Sequence, residues 1–338
     1  ISDRERFAGK SFHSAKWDWD YDLSGKRVGV IGSAASAVQF VPEIAEEVAQ
    51  LDLYQRTANW VAPKEDEPFS PEQISALDSD PSALASLRRD IHTVINQVIL
   101  FNNEEFIQAS VEGCLGAMQV VEDPVVREKL MPLHPFGCKR PLLSNNFYPT
   151  FNRPNVELVT EPIASVIPEG IRLESGETRE HDTLIFATGF VASKYLMALD
   201  VRGRGGRHIE EAWSDGATAY LGVTTSGFPN LFMLYGPNTN NGSILYMIEC
   251  QVDYALRQIQ RIERDGLAWV DVRPKNMETY NAELQKQIGE VKVWGANCNG
   301  YYRSASGRIV TQWPHTMDDF RDQLAAPDDD AFDVGLVD

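Results

Sequence analysis

The sequence contains no run of apolar residues close to the ~20 that a membrane-crossing helix needs, and no signal-peptide pattern opens it, so no membrane partner is expected. Cysteine is scarce. Cys114, Cys138, Cys250 and Cys298 lie far apart with no C-x-x-C pair, and the six histidines are equally scattered, so no metal site is expected. Four isolated cysteines read as reduced thiols, which places the chain in the cytoplasm as an expectation. Basic residues are outnumbered, 31 Lys and Arg against 49 Asp and Glu, and the net charge of -18 disfavours nucleic acid as a partner. A free anionic cofactor can still bind at a local basic cluster. No internal repeat or low-complexity tract is found, and the Asp-rich tail over 328–338 is expected to fray. What remains is a chain of 338 residues, 43% hydrophobic and 24% charged, enough for one large or two ordinary cores.

Residues 26–57 organise the rest. An apolar run, Val28-Gly29-Val30-Ile31, meets the small residues Gly32-Ser33-Ala34-Ala35-Ser36-Ala37, then an apolar-rich segment to Ala49, then Leu51-Asp52-Leu53-Tyr54-Gln55-Arg56-Thr57. The pattern predicts strand, tight turn, helix, strand. Small residues between a buried strand and a helix N-terminus let backbone N–H groups and the helix dipole hold a pyrophosphate. The turn is a degenerate G-x-G-x-x-G, with Gly32 kept and Ala34 and Ala37 in the second and third places. Where an NAD-selective site carries an acid, the second strand ends in Arg56 and Thr57, a fork and a hydroxyl suited to a 2′-phosphate, so NADP(H) is expected over NAD(H). From this stretch alone a flavodoxin-like turn with a surface arginine stays open.

Before the first strand, Phe7-x-Gly9-x-x-x-His13-x-x-x-Trp17-Asp18 follows neither a helical nor a strand period and reads as a structured loop. Residues 71–130 change character: Ile91, Val94, Ile95, Val98 and Ile99 recur at helical spacing, punctuated by Pro81, Gly113 and Pro124, which predicts a helical insertion. A basic pair, Lys139-Arg140, sits between Gly137 and Pro141 in a loop of restricted shape. Strands are expected at 156–159, 171–173 and 183–187, the last running into Thr188-Gly189, and a further buried strand at 231–235 before a polar loop, Gly236-Pro237-Asn238-Thr239-Asn240-Asn241. Helices are expected at about 244–263 and 274–289, around a strand near 267–272.

The pattern from Phe7 to Asp18, followed at once by a nucleotide-binding turn, resembles the fingerprint of the type I Baeyer–Villiger monooxygenases and their flavin-containing monooxygenase relatives. The resemblance covers nearly the whole chain. It implies an α/β fold: a linker over 1–24, a Rossmann-like NADPH-binding domain over 25–190 with a helical insertion at about 66–134, and the C-terminal part of a two-dinucleotide-binding FAD domain over 191–338. It implies an NADPH- and O2-dependent flavin monooxygenase that converts ketones to esters or lactones through a flavin C4a-peroxide, or oxygenates nitrogen or sulfur. A module that binds NADP and acts only by association is the other reading.

By resemblance, Gly32, Ser33, Ala34, Ser36, Ala37, Arg56, Thr57, Lys139, Thr188 and Gly189 hold NADP(H), and Arg140 sits over the flavin as the catalytic cation. A guanidinium stabilises anions and cannot give up its own proton. Phe7, Gly9, His13, Trp17 and Asp18 carry the fingerprint, tied to domain movement and cofactor positioning; Gly236, Asn238, Asn241 and Ser243 are expected to touch FAD, and the pair Tyr301-Tyr302 to form an aromatic wall. The family's own N-terminal βαβ segment is not found before Ile1, so flavin binding by this stretch alone is open and apolar surface is expected to be left for association with another chain.

Overall fold

The computed structural model describes residues 1–101, 103–295, 300 and 302–336. In chain order, β1 (Lys10–His13), β2 (Arg27–Ile31), α1 (Ala35–Ile44), β3 (Gln50–Tyr54) and β4 (Val61–Ala62) come first. Helices α2 (Pro71–Ser79), α3 (Pro81–Val98), α4 (Glu104–Met118) and α5 (Pro124–Lys129) follow. Then come β5 (Leu142–Leu143), α6 (Phe147–Thr150), β6 (Val156–Val159), β7 (Ile163–Ile167), β8 (Gly170–Leu173), β9 (Thr178–Glu180) and β10 (Thr183–Phe186). The remainder holds α7 (Ile209–Ala212), α8 (Ile244–Arg264), β11 (Leu267–Val272), α9 (Pro274–Glu290), α10 (Met317–Ala325) and β12 (Phe332–Leu336). The chain divides into two compact units, residues 1–67 with 105–190, and residues 68–104 with 191–338.

In the first unit, the runs Val28 to Ile31 of β2 and Leu51 to Tyr54 of β3 are buried without a break, so successive residues are covered on both faces, the mark of a parallel sheet packed on two sides. The sheet runs β1-β10-β2-β3-β6 with every neighbouring pair parallel. One face packs Val38 and Val41 of α1 and Phe147 and Tyr148 of α6 against Val28, Val30, Leu51 and Leu53. The other packs Ile31, Tyr54, Leu184 and Phe186 against Val166, Ile171 and Leu173 of the antiparallel meander β7-β8-β9. The mixed α/β architecture expected from the sequence is present. The helix after β2 stops at Ile44 rather than Ala49, and β3 ends at Tyr54.

In the second unit, α8 lays Met247, Cys250 and Tyr254 into a core with Trp313, Phe320 and the β11–β12 pair. Helix α3 is held there by polar bonds: His92 Nε2 and Asn96 Nδ2 reach the two oxygens of Asp318 at 3.2 and 2.7 Å.

Several expectations need correction. Residues 10–13 are not loop but an edge strand, because Lys10 to His13 pair in register with Thr183 to Phe186 of β10. Residues 231–235 form no ladder; Asn230, Tyr235 and Asn238, all at φ near 58°, turn the chain out of an extended path. The acidic tail does not fray over its described part: Asp328 accepts from Tyr254 Oη at 2.6 Å and from Gln258 Nε2 at 3.2 Å, and β12 pairs antiparallel with β11. Cys114 and Cys250 are buried free thiols, both pushed up to about 11 by burial. Cys138 is disulfide-bonded, against the expectation of four reduced thiols, since spacing along the chain says nothing of distance in space; Cys298 and Tyr301 lie outside the described residues. Among the described residues no helix is long and apolar enough to cross a membrane, and no cluster of acidic, His and Cys groups could hold a metal.

Candidate functional site

In an open parallel sheet, ligands bind outside the carboxyl ends of the strands, where helix N-termini and loops converge. The carboxyl ends of β1, β2, β3 and β10 lie side by side, since His13 pairs with Phe186, Phe186 with Ile31, and Ile31 with Tyr54. Four sets of expected site residues follow those ends directly: the turn from Gly32, the pair Arg56-Thr57, the pair Thr188-Gly189, and the fingerprint residues from His13 onward.

Gly32 sits at φ 107°, and a Cβ there would lie 2.5 Å from the Ala187 carbonyl oxygen, so only glycine fits between β2 and the end of β10. Ala34 caps α1 without any side-chain hydrogen bond. The first N–H groups of the helix therefore have no side chain competing for them, the arrangement that receives an anion. Ala34 is exposed, Ser36 is half-buried, and Ala37 is fully buried against the sheet. The alanine in the third glycine place thus serves helix–strand packing.

Beyond β3, Gln55 is buried and its Nε2 donates to the Lys129 carbonyl at 2.9 Å, while Arg56 and Thr57 are exposed. Ser33 Oγ lies 3.5 Å from the Thr57 carbonyl, and Asn59 Nδ2 donates to the Ser33 carbonyl at 3.1 Å. The helix-side turn and the loop carrying Arg56 are thus tied to each other. Trp60 then fixes the basic loop: its Nε1 donates to the His134 carbonyl at 2.9 Å, its carbonyl accepts from Leu142 N at 2.8 Å, and its ring meets Phe136 edge-on at 6.1 Å. Gly137 at φ 85° turns the chain between these anchors.

The geometry presents Lys139 half-buried and Arg140 exposed. Burial, and then the Arg56 guanidinium nearby, push the Lys139 ammonium below its usual range. The charge of Arg56 thus acts on Lys139 from 83 positions away in sequence, by 139 minus 56. Among the described residues, Arg56, Lys139 and Arg140 form no ion pair. Thr188 and Gly189 are exposed. Gly189 is required by its φ of 89°, and nothing crowds a Cβ there, so conformation rather than close approach explains it.

The fingerprint residues have internal partners. A Cβ on Gly9 would lie 2.6 Å from the Asp182 carbonyl oxygen and 2.7 Å from the Phe7 ring. His13 Nδ1 accepts from Ala15 N at 3.1 Å and its ring lies 5.9 Å from Phe190. Trp17 packs edge-on to Phe12 and Phe40 at 5.2 and 5.1 Å, and Asp18 pairs with Lys10.

In the second unit, Gly236 cannot carry a Cβ, which would lie 2.3 Å from the Gly222 carbonyl oxygen. Asn238 Nδ2 donates to the Ile309 and Gln312 carbonyls at 3.0 Å each, and its Oδ1 is buried without a partner among the described residues. Asn241 Nδ2 donates to the Ile99 and Trp313 carbonyls at 2.9 and 3.1 Å, and Ser243 Oγ caps α8 by accepting from Tyr246 N. These polar side chains hold the loop's own shape.

Sequence reasoning assigned no role to Gln55, Asn59, Trp60 or His134. Asn59 and Trp60 stand directly after Arg56-Thr57 and could have been found by asking what anchors the loop; His134 carries no spacing signal.

No family model matches the chain. It is 41% identical over 317 residues to a Baeyer-Villiger monooxygenase of Pseudomonas aeruginosa, a match covering 92% of this chain and 60% of that protein. It is 30% identical over 339 residues to an uncharacterized monooxygenase of Mycobacterium tuberculosis, covering 99% of this chain and 68% of that protein. The structure of cyclohexanone monooxygenase from a Rhodococcus species, bound to NADP+, superposes with a TM-score of 0.85 at 27% identity, covering 99% of this chain and 71% of that one. OTEMO in complex with FAD and NADP gives 0.83 at 27% identity, covering 99% and 72%. The chain spans 54 to 62% of the length of the first three curated relatives. With this identity along almost its entire length, and a parallel sheet whose carboxyl edge gathers a glycine turn, an uncapped helix and unpaired cations, the chain belongs to the type I Baeyer–Villiger monooxygenase family.

Proposed function

We propose that this chain carries the NADP(H)-binding part and a portion of the FAD-binding part of an NADPH- and O2-dependent flavin monooxygenase that oxidises ketones to esters or lactones. The observation that carries the reading is the bond of Asn59 to the Ser33 carbonyl, which ties the turn after β2 to the loop of Arg56, together with the lack of any ion pair at Arg56 or Lys139 among the described residues. An uncapped helix N-terminus suits a pyrophosphate, and two unpaired cations one loop away suit the 2′-phosphate of NADP(H). Arg56 supplies the planar fork, Thr57 the hydroxyl, and Lys139 a point charge.

When bound, the flavin supplies the activation of oxygen. The chain's own part is to place Arg140, whose guanidinium can stabilise negative charge developing on the substrate oxygen. Asn238 Nδ2, Asn241 Nδ2 and Ser243 Oγ are engaged within the protein, so backbone groups of the Gly236 to Ser243 loop are the ones proposed to meet the flavin. The named relatives include Baeyer–Villiger and FAD-binding monooxygenases, which supports ketone and O2 as co-substrates. The cytoplasm remains the compartment proposed.

The test is a binding titration of NADP+ and NAD+ against the unsubstituted protein and Arg56→Ala. The dissociation constant for NADP+ is expected to rise roughly tenfold or more while that for NAD+ moves less than about twofold. An equal change for both dinucleotides would remove Arg56 from the 2′-phosphate. Retention of a flavin absorbance band through gel filtration after incubation with FAD tests the second cofactor.

A further inference from the structure

His134 stands in the loop that carries Lys139, and its backbone is fixed by the Trp60 Nε1 bond to its carbonyl at 2.9 Å. Both of its ring nitrogens are buried and neither has a hydrogen-bond partner among the described residues. Imidazole nitrogens are rarely left in that state, since one is a donor in either tautomer and both are donors in the cation. The Trp60 ring that donates to the His134 carbonyl packs edge-on to Phe136, and the Pro135 carbonyl accepts from Cys138 N at 3.1 Å.

The charged neighbour of His134 is Lys139, and the neighbour of Lys139 is Arg56. No carboxylate is among the groups acting on either His134 or Lys139. Burial first and Lys139 second hold the imidazole neutral, below its ordinary range. The Trp60 bond to the His134 carbonyl joins the loop of His134 and Lys139 to the segment that follows Arg56, and among the described residues neither Lys139 nor Arg56 forms an ion pair, in a chain whose net charge is -18. An arrangement of this kind is completed by a dianion: it offsets the mutual repulsion of the cations, and its oxygens accept from a ring N–H that has no acceptor in the protein.

We propose that His134 is a third reader of the ribose 2′-phosphate, turning a ring N–H onto that phosphate once it lies between Lys139 and Arg56. This rests on the assignment of the 2′-phosphate to Arg56. His134 is then a specificity-determining residue: it discriminates NADP(H) from NAD(H) and takes no part in oxygen chemistry.

The test compares NADP+ and NAD+ binding in His134→Phe, which keeps a ring and removes both nitrogens, and in His134→Gln, which restores a donor. His134→Phe is expected to weaken NADP+ roughly tenfold and leave NAD+ within about twofold, with His134→Gln recovering most of the loss. An unchanged ratio of the two affinities, or an equal loss for both, overturns the proposal. Should His134→Phe fail to fold, histidine ring resonances of the unsubstituted protein decide, with His134→Gln providing the assignment. Adenosine 2′-monophosphate must shift the His134 resonance and adenosine 5′-monophosphate must not; no shift with the former overturns the proposal. Arg56→Ala separates the two levels. If it leaves the affinity ratio unchanged, the phosphate assignment and the proposal fall together; if it lowers the ratio while His134→Phe does not, only the role of His134 falls.

Discussion

Tyr54 and His181 are joined by a buried hydrogen bond, Oη to Nε2 at 2.7 Å, across 127 positions of sequence. Tyr54 ends β3, two residues before Arg56, and His181 lies between β9 and β10. The bond fastens the strand that leads into Arg56 to the crossing into β10. Asp52 lies 3.8 Å from the same ring nitrogen and pairs with Arg179 at 3.4 Å, so a small polar cluster sits between the sheet and the meander. Gly29 makes room for it: a Cβ there would lie 2.9 Å from the imidazole.

Tyr54→Phe keeps the ring and removes the bond. His181 Nδ1 already has no hydrogen-bond partner among the described residues, so the substitution leaves both ring nitrogens buried without one there. A loss of about 1–3 kcal/mol is expected, read as a lower urea midpoint at unchanged m-value. No loss would mean that the bond does not bear on the stability of the sheet.

The same histidine makes stability depend on pH. Burial pushes its pKa down from 6.5 to about 4, with Asp52 opposing and failing to outweigh it. Above pH 6.5 the ring is neutral in both folded and unfolded chains, and its contribution is complete. Between 6.5 and 4 the unfolded chain takes up the proton first, so stability falls as pH falls, by roughly 3 kcal/mol across that window. Urea titrations at pH 7 and pH 4.5 should show the decline, and His181→Gln should flatten the part of it due to this ring.

Gly32→Ala and Gly189→Ala separate two reasons for glycine. Both positions have positive φ, 107° and 89°, but only at Gly32 would the Cβ strike backbone, 2.5 Å from the Ala187 oxygen. Gly189→Ala is expected to cost about 1–2 kcal/mol from conformation alone. Gly32→Ala adds a clash that backbone movement must relieve, so its thermal midpoint should fall further and NADP+ binding should weaken with it. Equal effects at the two sites would show that the close approach is not felt.

The β2–α1–β3 unit was legible in sequence because burial on both faces leaves an uninterrupted apolar run, and because a strand-to-helix turn against a neighbouring strand tolerates so few residues. Arg56 was legible by its place at a strand end. The Tyr54–His181 bond, the approach of Lys139 to Arg56 and the anchoring of His134 by Trp60 were not, since each joins segments whose separation in sequence carries no periodic trace. The strand expected over 231–235 failed for a related reason: apolar content there fills a core, while Asn230 and Tyr235 in the left-handed region prevent pairing. The tail was misjudged from its charge, because buried Asp328 is an acceptor for Tyr254 and Gln258 rather than a solvated group.

Asn59 positions rather than reads. Its Nδ2 bond to the Ser33 carbonyl ties the pyrophosphate-side turn to the loop bearing Arg56, and it touches no group that distinguishes the two dinucleotides. Asn59→Ala should therefore weaken NADP+ and NAD+ alike, by roughly threefold to tenfold, as the loss of one partly buried hydrogen bond implies. Isothermal titration with both ligands checks it, and a loss confined to NADP+ would reassign Asn59 to the phosphate.

Arg140 differs from Lys139 in every respect that the site's chemistry uses. It is exposed and free of ion pairs among the described residues, whereas Lys139 is half-buried and depressed by burial and by Arg56. A group meant to hold a phosphate gains from that enclosure, and a group meant to meet charge as it develops must remain protonated and unpaired until the substrate arrives. In the flavin-loaded protein, Arg140→Ala should lower ketone oxygenation by about a hundredfold or more while the NADP+ dissociation constant stays within about threefold. Arg140→Lys should recover little, because an ammonium lacks the fork and can itself lose a proton. Lys139→Ala should do the reverse, raising the NADP+ constant with oxygenation largely restored at saturating NADPH. Initial rates against NADPH concentration for the three variants read both quantities, and an Arg140→Ala enzyme with full turnover at saturation would end the assignment.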